Sequence, residues 1–121
     1  MIKRISSGGL YENKVGYCRA VVAGGFVHVA GTVAGPEAMD GDVVAQCHSA
    51  LSIIEGALAE AGSGFEKAVR VTYYLPDVSD FEACWPLLTA TFGTHRPAAT
   101  MIECNLIDPQ YKIEIELTAL A

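Results

Sequence analysis

Apolar and polar positions along this chain alternate with two different periods, and the switches between the periods mark the elements. From Val44 the apolar residues Cys47, Leu51, Ile54, Leu58 and Ala61 recur at steps of 3, 4, 3, 4 and 3, which keeps one stripe along a helix. Asp40 or Asp42 can cap its start, and Gly62 can take the left-handed position past its end. Gln46, Ser49, Ser52 and Glu60 fall on the opposite side of this helix, which is read as its polar face. Near the end of the chain the period changes to two. In Tyr111–Ala119, Ile113, Ile115 and Leu117 share one face of a strand, and Lys112, Glu114, Glu116 and Thr118 share the other.

The remaining elements follow from composition and turn chemistry. Tyr17–Ala23 and Phe26–Ala30 read as two strands joined at Gly24-Gly25, because both central residues of a type I′ hairpin turn need positive φ. Ile2–Ser6 reads as a further edge strand. Val69–Leu75 is β-branched and aromatic, hence a strand, and Pro76-Asp77 ends it. Ser79-Asp80-Phe81-Glu82 has the form of a capping box, followed by Phe81, Trp85, Leu88 and Phe92 at helical spacing. Pro86 lies inside that pattern, so a kink or a later helix start is expected. Ala98–Cys104 reads as a strand and Leu106–Gln110 as a loop. The sum is an α+β domain with a five- to six-stranded sheet and two helices. Two helices cover only one face of such a sheet. Large apolar groups on both parities, such as Tyr73 with Tyr74 and Met101 with Ile102, lead us to expect the second face to be partly buried between subunits.

Length and charge narrow the function. The 121 residues, 51% of them apolar, suit one folded domain spanning residues 1–121, large enough to bury roughly two-thirds of its unfolded surface. Eight Lys and Arg against 14 Asp and Glu give a net charge of −6, which speaks against a nucleic-acid partner. No run of 18 apolar residues predicts a membrane span, and no apolar stretch follows the basic pair Lys3-Arg4, so a secretory signal is not expected. Cys18, Cys47, Cys84 and Cys104 are far apart and form no C-x-x-C pair, so no metal site is expected and the thiols read as reduced, in a cytoplasmic protein. His28, His48 and His95 do not form a catalytic set, and no nucleophile elbow or phosphate loop occurs.

Three segments, in order, resemble the RidA/YjgF family, known earlier as L-PSP endoribonucleases. Val15-Gly16-Tyr17-Cys18-Arg19-Ala20-Val21 is similar to the family's G-P-Y-S-Q-A-V, and Val29-Ala30-Gly31-Thr32 to its V-S-G-Q. Pro97-Ala98-Ala99-Thr100-Met101-Ile102-Glu103 followed by Lys112-Ile113-Glu114-Ile115-Glu116 is similar to P-A-R-S-x-[VI]-E and K-I-E-I-E. The resemblance implies a chorismate-mutase-like fold in a homotrimer with small-molecule clefts between subunits. It also implies hydrolysis of reactive enamines and imines, with release of ammonia and without a cofactor.

By the same resemblance Glu114 is the residue that positions or activates water, a role a carboxylate fills by taking the water proton. Tyr17 and Gly31 would line the cleft, and backbone N–H groups near Thr100 and Met101 would contact a substrate carboxylate. Glu103 and Glu116 are further carboxylates expected near the cleft, or members of ion pairs with Arg19, Arg70 or Lys112. The family arginine that clamps the carboxylate is Ala99 here, and alanine has no donor. Arg96, three residues earlier, and Arg19, which stands where the family has glutamine, are the candidate replacements. The alternative to a deaminase is a non-catalytic small-molecule-binding or protein-interaction trimer.

Overall fold

The computed structural model describes all 121 residues. Six strands form one mixed sheet: β1 (Lys3–Ile5), β2 (Ala20–Ala23), β3 (Phe26–Thr32), β4 (Ala68–Leu75), β5 (Ala98–Glu103) and β6 (Glu114–Leu120). Their order across the sheet is β1-β2-β3-β6-β4-β5. Only β4 and β5 run parallel, and α3 (Phe81–Phe92) makes the crossover between them. The other long helix, α2 (Val43–Glu60), connects β3 to β4. A single-turn helix, α1 (Glu12–Val15), lies in the segment between β1 and β2 and was not anticipated from the sequence.

The last strand lies at the centre of this order, between β3 and β4. Ile115, Leu117 and Ala119 are buried under the helices with Val27, Val29, Val71, Tyr73 and Leu75. Ile54, Leu58 and Cys47 of α2 and Cys84, Leu88 and Phe92 of α3 close the core from above. Phe81 stacks on Tyr73 with ring centroids 5.3 Å apart, and Phe92 meets Phe65 edge-on at 5.3 Å. The opposite sheet face carries Thr72, Tyr74, Glu114, Glu116 and Thr118. No helix is long and apolar enough to cross a membrane.

The hairpin forms as expected: Gly24 and Gly25 have φ of 61° and 84°, and Ala23 pairs with Phe26 across them. Asp42, not Asp40, caps α2 by accepting from the Ala45 N–H, and Gly62 takes the left-handed position after it. Several expectations need correction. β2 starts only at Ala20 and β6 only at Glu114, so Tyr17–Arg19 and Tyr111–Ile113 lie outside the strands. The Ser79 capping box does not form. Asp77 accepts from the Ser79 N–H and hydroxyl instead, a 3₁₀ turn spans Val78–Asp80, and α3 starts at Phe81. α3 then continues through Pro86, whose ring lies on the exposed side.

The supposed polar side of α2 is also wrong in part. Ser52 and Glu60 are exposed, but Gln46 is fully buried and Ser49 nearly so. Both are buried because their hydrogen-bonding groups are used. Gln46 Nε2 donates to the carbonyls of Met39 and Gln110, each at 3.0 Å, and its Oε1 accepts from the Lys112 N–H at 2.9 Å. Ser49 donates to Glu37 and accepts from the Gly35 N–H. Gln46 thus fastens the start and the end of two loops to one helix. Gln46→Ala should lower stability by about 2–4 kcal/mol, since it strands three backbone groups and leaves a cavity. Urea unfolding measures the loss, and hydrogen exchange at the Lys112 amide should accelerate with it.

Candidate functional site

The site is built around an irregularity in β3. Val29 pairs with Leu117 and Thr32 with Ile115, so three residue steps on β3 oppose two on β6. The extra residue makes a bulge at Ala30-Gly31, which turns the Gly31 carbonyl out of the ladder. The carbonyl accepts from Arg19 Nη1 at 2.8 Å. On its other side Gly31 leaves room for Glu114. A Cβ built on Gly31 would lie 2.6 Å from Glu114 Oε2 and 3.1 Å from its Cδ, so any side chain there would push the carboxylate away. Glycine here leaves the Glu114 carboxylate its present position.

Glu114 is half-buried on the sheet face away from the helices. Burial raises its pKa above the ordinary carboxylate value. The charge of Arg19 pulls it back and that of Glu116 pushes it further up, but burial prevails. Glu116 accepts a short hydrogen bond from the Tyr74 hydroxyl, 2.5 Å long, which raises the Tyr74 phenol to about 12. Gly31, Tyr74, Glu114, Glu116 and the Cys104–Ile107 segment line a groove of about 300 Å³. Two carboxylates of unlike environment therefore face one small space. Burial makes Glu114 easier to protonate than an ordinary carboxylate, which suits it to accept and return a proton.

Tyr17 is tied to this site through Arg19, which donates to its hydroxyl at 3.4 Å and lies 5.5 Å from its ring centroid, but Tyr17 itself lines a separate pocket of about 660 Å³ with Tyr11, Val33 and Tyr111. The other residues singled out in the sequence lie elsewhere in the protomer. Ala99, Met101 and Glu103 pair with Val71, Tyr73 and Leu75, and so point to the helix side of the sheet. Ala99 and Arg96 line a separate pocket of about 360 Å³ beside Leu88 and Phe92 of α3. Arg96 Nε donates to the Gly93 carbonyl. Met101 packs against the core, and Glu103 accepts from the Val78 N–H, holding the turn before α3. Thr100 shares the face of Glu116 but accepts from Arg70. Glu103 is not next to Glu116, because β4 lies between their strands.

Tyr74 and the Cys104–Ile107 segment belong to the groove and were not assigned to it from the sequence. Tyr74 shares the face of Glu114 only because these two residues pair across β4 and β6, a register that periodicity alone does not reveal. No group of three or more His, Cys, Asp or Glu side chains is placed to hold a metal ion. The four cysteines are free, with Cys47 and Cys84 buried.

Comparison with known proteins agrees with this architecture. Residues 11–121 match the protein-family model described as Endoribonuclease L-PSP. A RutC family protein of Pyrococcus abyssi is 32% identical over 107 residues, covering 85% of this chain and 84% of its own. An uncharacterized protein of Streptomyces coelicolor is 32% identical over 122 residues, covering 98% and 91%. The crystal structure of a YjgF/YER057c/UK114 family member from Mycobacterium tuberculosis superimposes with a TM-score of 0.91 at 37% identity, covering all of both chains. A YjgF family protein of Neisseria meningitidis gives 0.85 at 25% identity, covering 99% of this chain and 94% of its own. The half-buried carboxylate and the bulge glycine thus lie in a fold that solved YjgF family structures share. The chain belongs to the RidA/YjgF (Endoribonuclease L-PSP) family.

The raised pKa of Glu114 has a consequence for stability. A carboxyl with a higher pKa in the folded state binds its proton more tightly there, so its contribution to stability is full below the unfolded pKa and is lost as pH rises through the folded one. Glu114→Gln should therefore raise the melting temperature at pH 8 relative to the parent, with the gain vanishing below about pH 4. Thermal melts of the two proteins across that range check it.

Proposed function

We propose that the protein is a RidA-like enamine/imine deaminase, hydrolysing a reactive C–N intermediate with release of ammonia at clefts between the subunits of a homotrimer. The observation that carries this reading is Glu114, a half-buried carboxylate of raised pKa set against Gly31 at the wall of a groove. An imine carbon is attacked by water, and a carboxylate beside that water takes its proton as the bond forms. The same group can return the proton to the departing nitrogen, which leaves as ammonia.

The subunit arrangement is supported by what one protomer leaves apart. The Glu114 groove lies on the open face of the sheet, and the Ala99–Met101 segment lies on β5 at the sheet edge. A second copy that brings its β5 edge to this groove would join the two, supplying backbone N–H donors to a substrate. Alanine at position 99 removes the carboxylate clamp, so the substrate is either an imino acid held by other donors, such as backbone N–H groups, or one without that carboxylate. The same alanine favours a second reading, a trimer that binds a small molecule or another protein without turning it over.

Ammonia release from enamines generated in situ by an amino-acid dehydratase separates these readings. Acceleration by the parent protein, lost by at least about tenfold in Glu114→Gln, is expected for a deaminase that works without the arginine. Silence from the parent with activity gained in Ala99→Arg would point to an intact cleft retuned to another ligand. Silence from both would favour the binding trimer. Light scattering at micromolar concentration should give the mass of three chains, and a monomer there would overturn the intersubunit cleft.

A further inference from the structure

Arg19 is the most enclosed cation of the chain, with only 6% of its surface exposed. A guanidinium has five N–H donors in a fixed fork, and burying it demands partners for them. Nη1 donates to the Gly31 carbonyl at 2.8 Å and to Thr32 Oγ1 at 2.9 Å. Nε donates to Ser7 Oγ at 3.2 Å, and Nη2 donates to the Tyr17 hydroxyl at 3.4 Å. The directions of the neighbouring bonds are then set. Thr32 accepts from Arg19 and passes its own proton to the Ala30 carbonyl at 2.7 Å. Ser7 accepts from Arg19 and donates to Glu12 Oε2 at 2.8 Å.

Glu12 is the buried counter-charge behind this chain of bonds. Burial opposes its ionisation, but hydrogen bonds from Gly9 and Ser7 outweigh that and leave its pKa below the ordinary value. With its donors turned to the protein, Arg19 is poorly placed to clamp a substrate carboxylate itself. What it holds is the bulge: Thr32 and Ala30 on one side, Gly31 in the middle, and Glu114 lying against Gly31. Tyr17 is held too. Because arginine can only donate, the Tyr17 oxygen accepts from it, and the phenol proton is directed to some other acceptor.

We propose that Arg19 is the positioning residue of this site, fixing the Gly31 bulge against Glu114 and presenting the Tyr17 hydroxyl as a hydrogen-bond donor to the ligand. The ligand then carries an acceptor, a carbonyl or carboxylate oxygen or an imine nitrogen, within reach of Tyr17. The inference rests on the reading of Glu114 and Tyr17 as site residues, but not on turnover. The charged and titratable groups around Glu114 are Arg19 from the approach to β2, Glu116 on its own strand, Tyr74 on β4, and Cys104 and Tyr111 at the two ends of the β5–β6 connection. Arg19 is the cation among them.

Carbon-13 NMR of glutamate carboxylates tests this, with the Glu114 signal assigned by its loss in Glu114→Gln. In Arg19→Gln, which removes the charge and keeps a polar side chain, the Glu114 midpoint should rise by about one pH unit. An unmoved midpoint in a folded Arg19→Gln protein would overturn the proposal. Should that variant fail to fold, the parent protein serves: the Arg19 Nη resonances should follow the titration of Glu114 and lose that response in Glu114→Gln. Nη resonances indifferent to Glu114 would overturn it equally. A shifted Glu114 midpoint with no ammonia release from the parent would sustain the positioning role and remove the deaminase reading. Ammonia release with the same pH profile in parent and Arg19→Gln would do the reverse.

Discussion

The structure depends on the alternation of β6. This strand is bonded on both sides, to β3 and to β4, and its two faces have opposite chemistry. Ile115, Leu117 and Ala119 lie under the helices, while Glu114 and Glu116 face the other way. A slip of one residue would move both carboxylates into the core and the branched side chains out of it. Burying two unpaired carboxylates costs far more than any ladder bond returns. The register of the central strand, and with it the position of every residue on β3 and β4, is therefore held by charge exclusion as much as by apolar burial.

The bulge in β3 is the one place where this regularity is broken, and the break is what makes a site. In an unbroken ladder Gly31 would pair directly and Glu114 would be one more exposed residue of a strand. The extra residue frees a carbonyl for Arg19 and opens space for a carboxylate at the same point. Arg19 in turn ties this point to Ser7 and Glu12 in the segment that follows β1. Gln46 does the corresponding work for the chain leading into β6, anchoring Gln110 and Lys112 to α2. The groove wall formed by Cys104–Ile107 belongs to this same connection. Two buried polar side chains, each with a partner at every nitrogen and oxygen, thus hold the segments on either side of Glu114.

Much of the fold was legible because it follows from local periodicity. The stripe of α2, the two-glycine hairpin and the alternation of β6 need only the geometry of a helix, a turn and a strand. The errors came where a residue's environment is set by distant chain. Gln46 reads as polar surface because its side chain is polar. It is buried because carbonyls at Met39 and Gln110, and an N–H at Lys112, converge on it. Ser79 and Glu82 have the spacing of a capping box, but Asp77 offers the Ser79 N–H a nearer acceptor and the turn tightens first. The single-turn α1 is too short to show any period.

The same division runs through the site. By itself the sequence determined the family, through three short motifs in order, and it determined which parity of the last strand is acidic, because side chains on a strand alternate without regard to what lies beside them. The resemblance to that family is what singled out Glu114, Gly31 and Tyr17. Only the tertiary structure decided which strands are neighbours. Strand pairing joins segments far apart in sequence, and period-two alternation carries no record of the partner. That is why β4, lying between β5 and β6, could separate Glu103 from Glu116 and place Ala99 and Arg96 beside α3. It is also why the buried fork of Arg19 could join Ser7, Tyr17 and the Gly31-Thr32 pair, drawn from three separate stretches of chain.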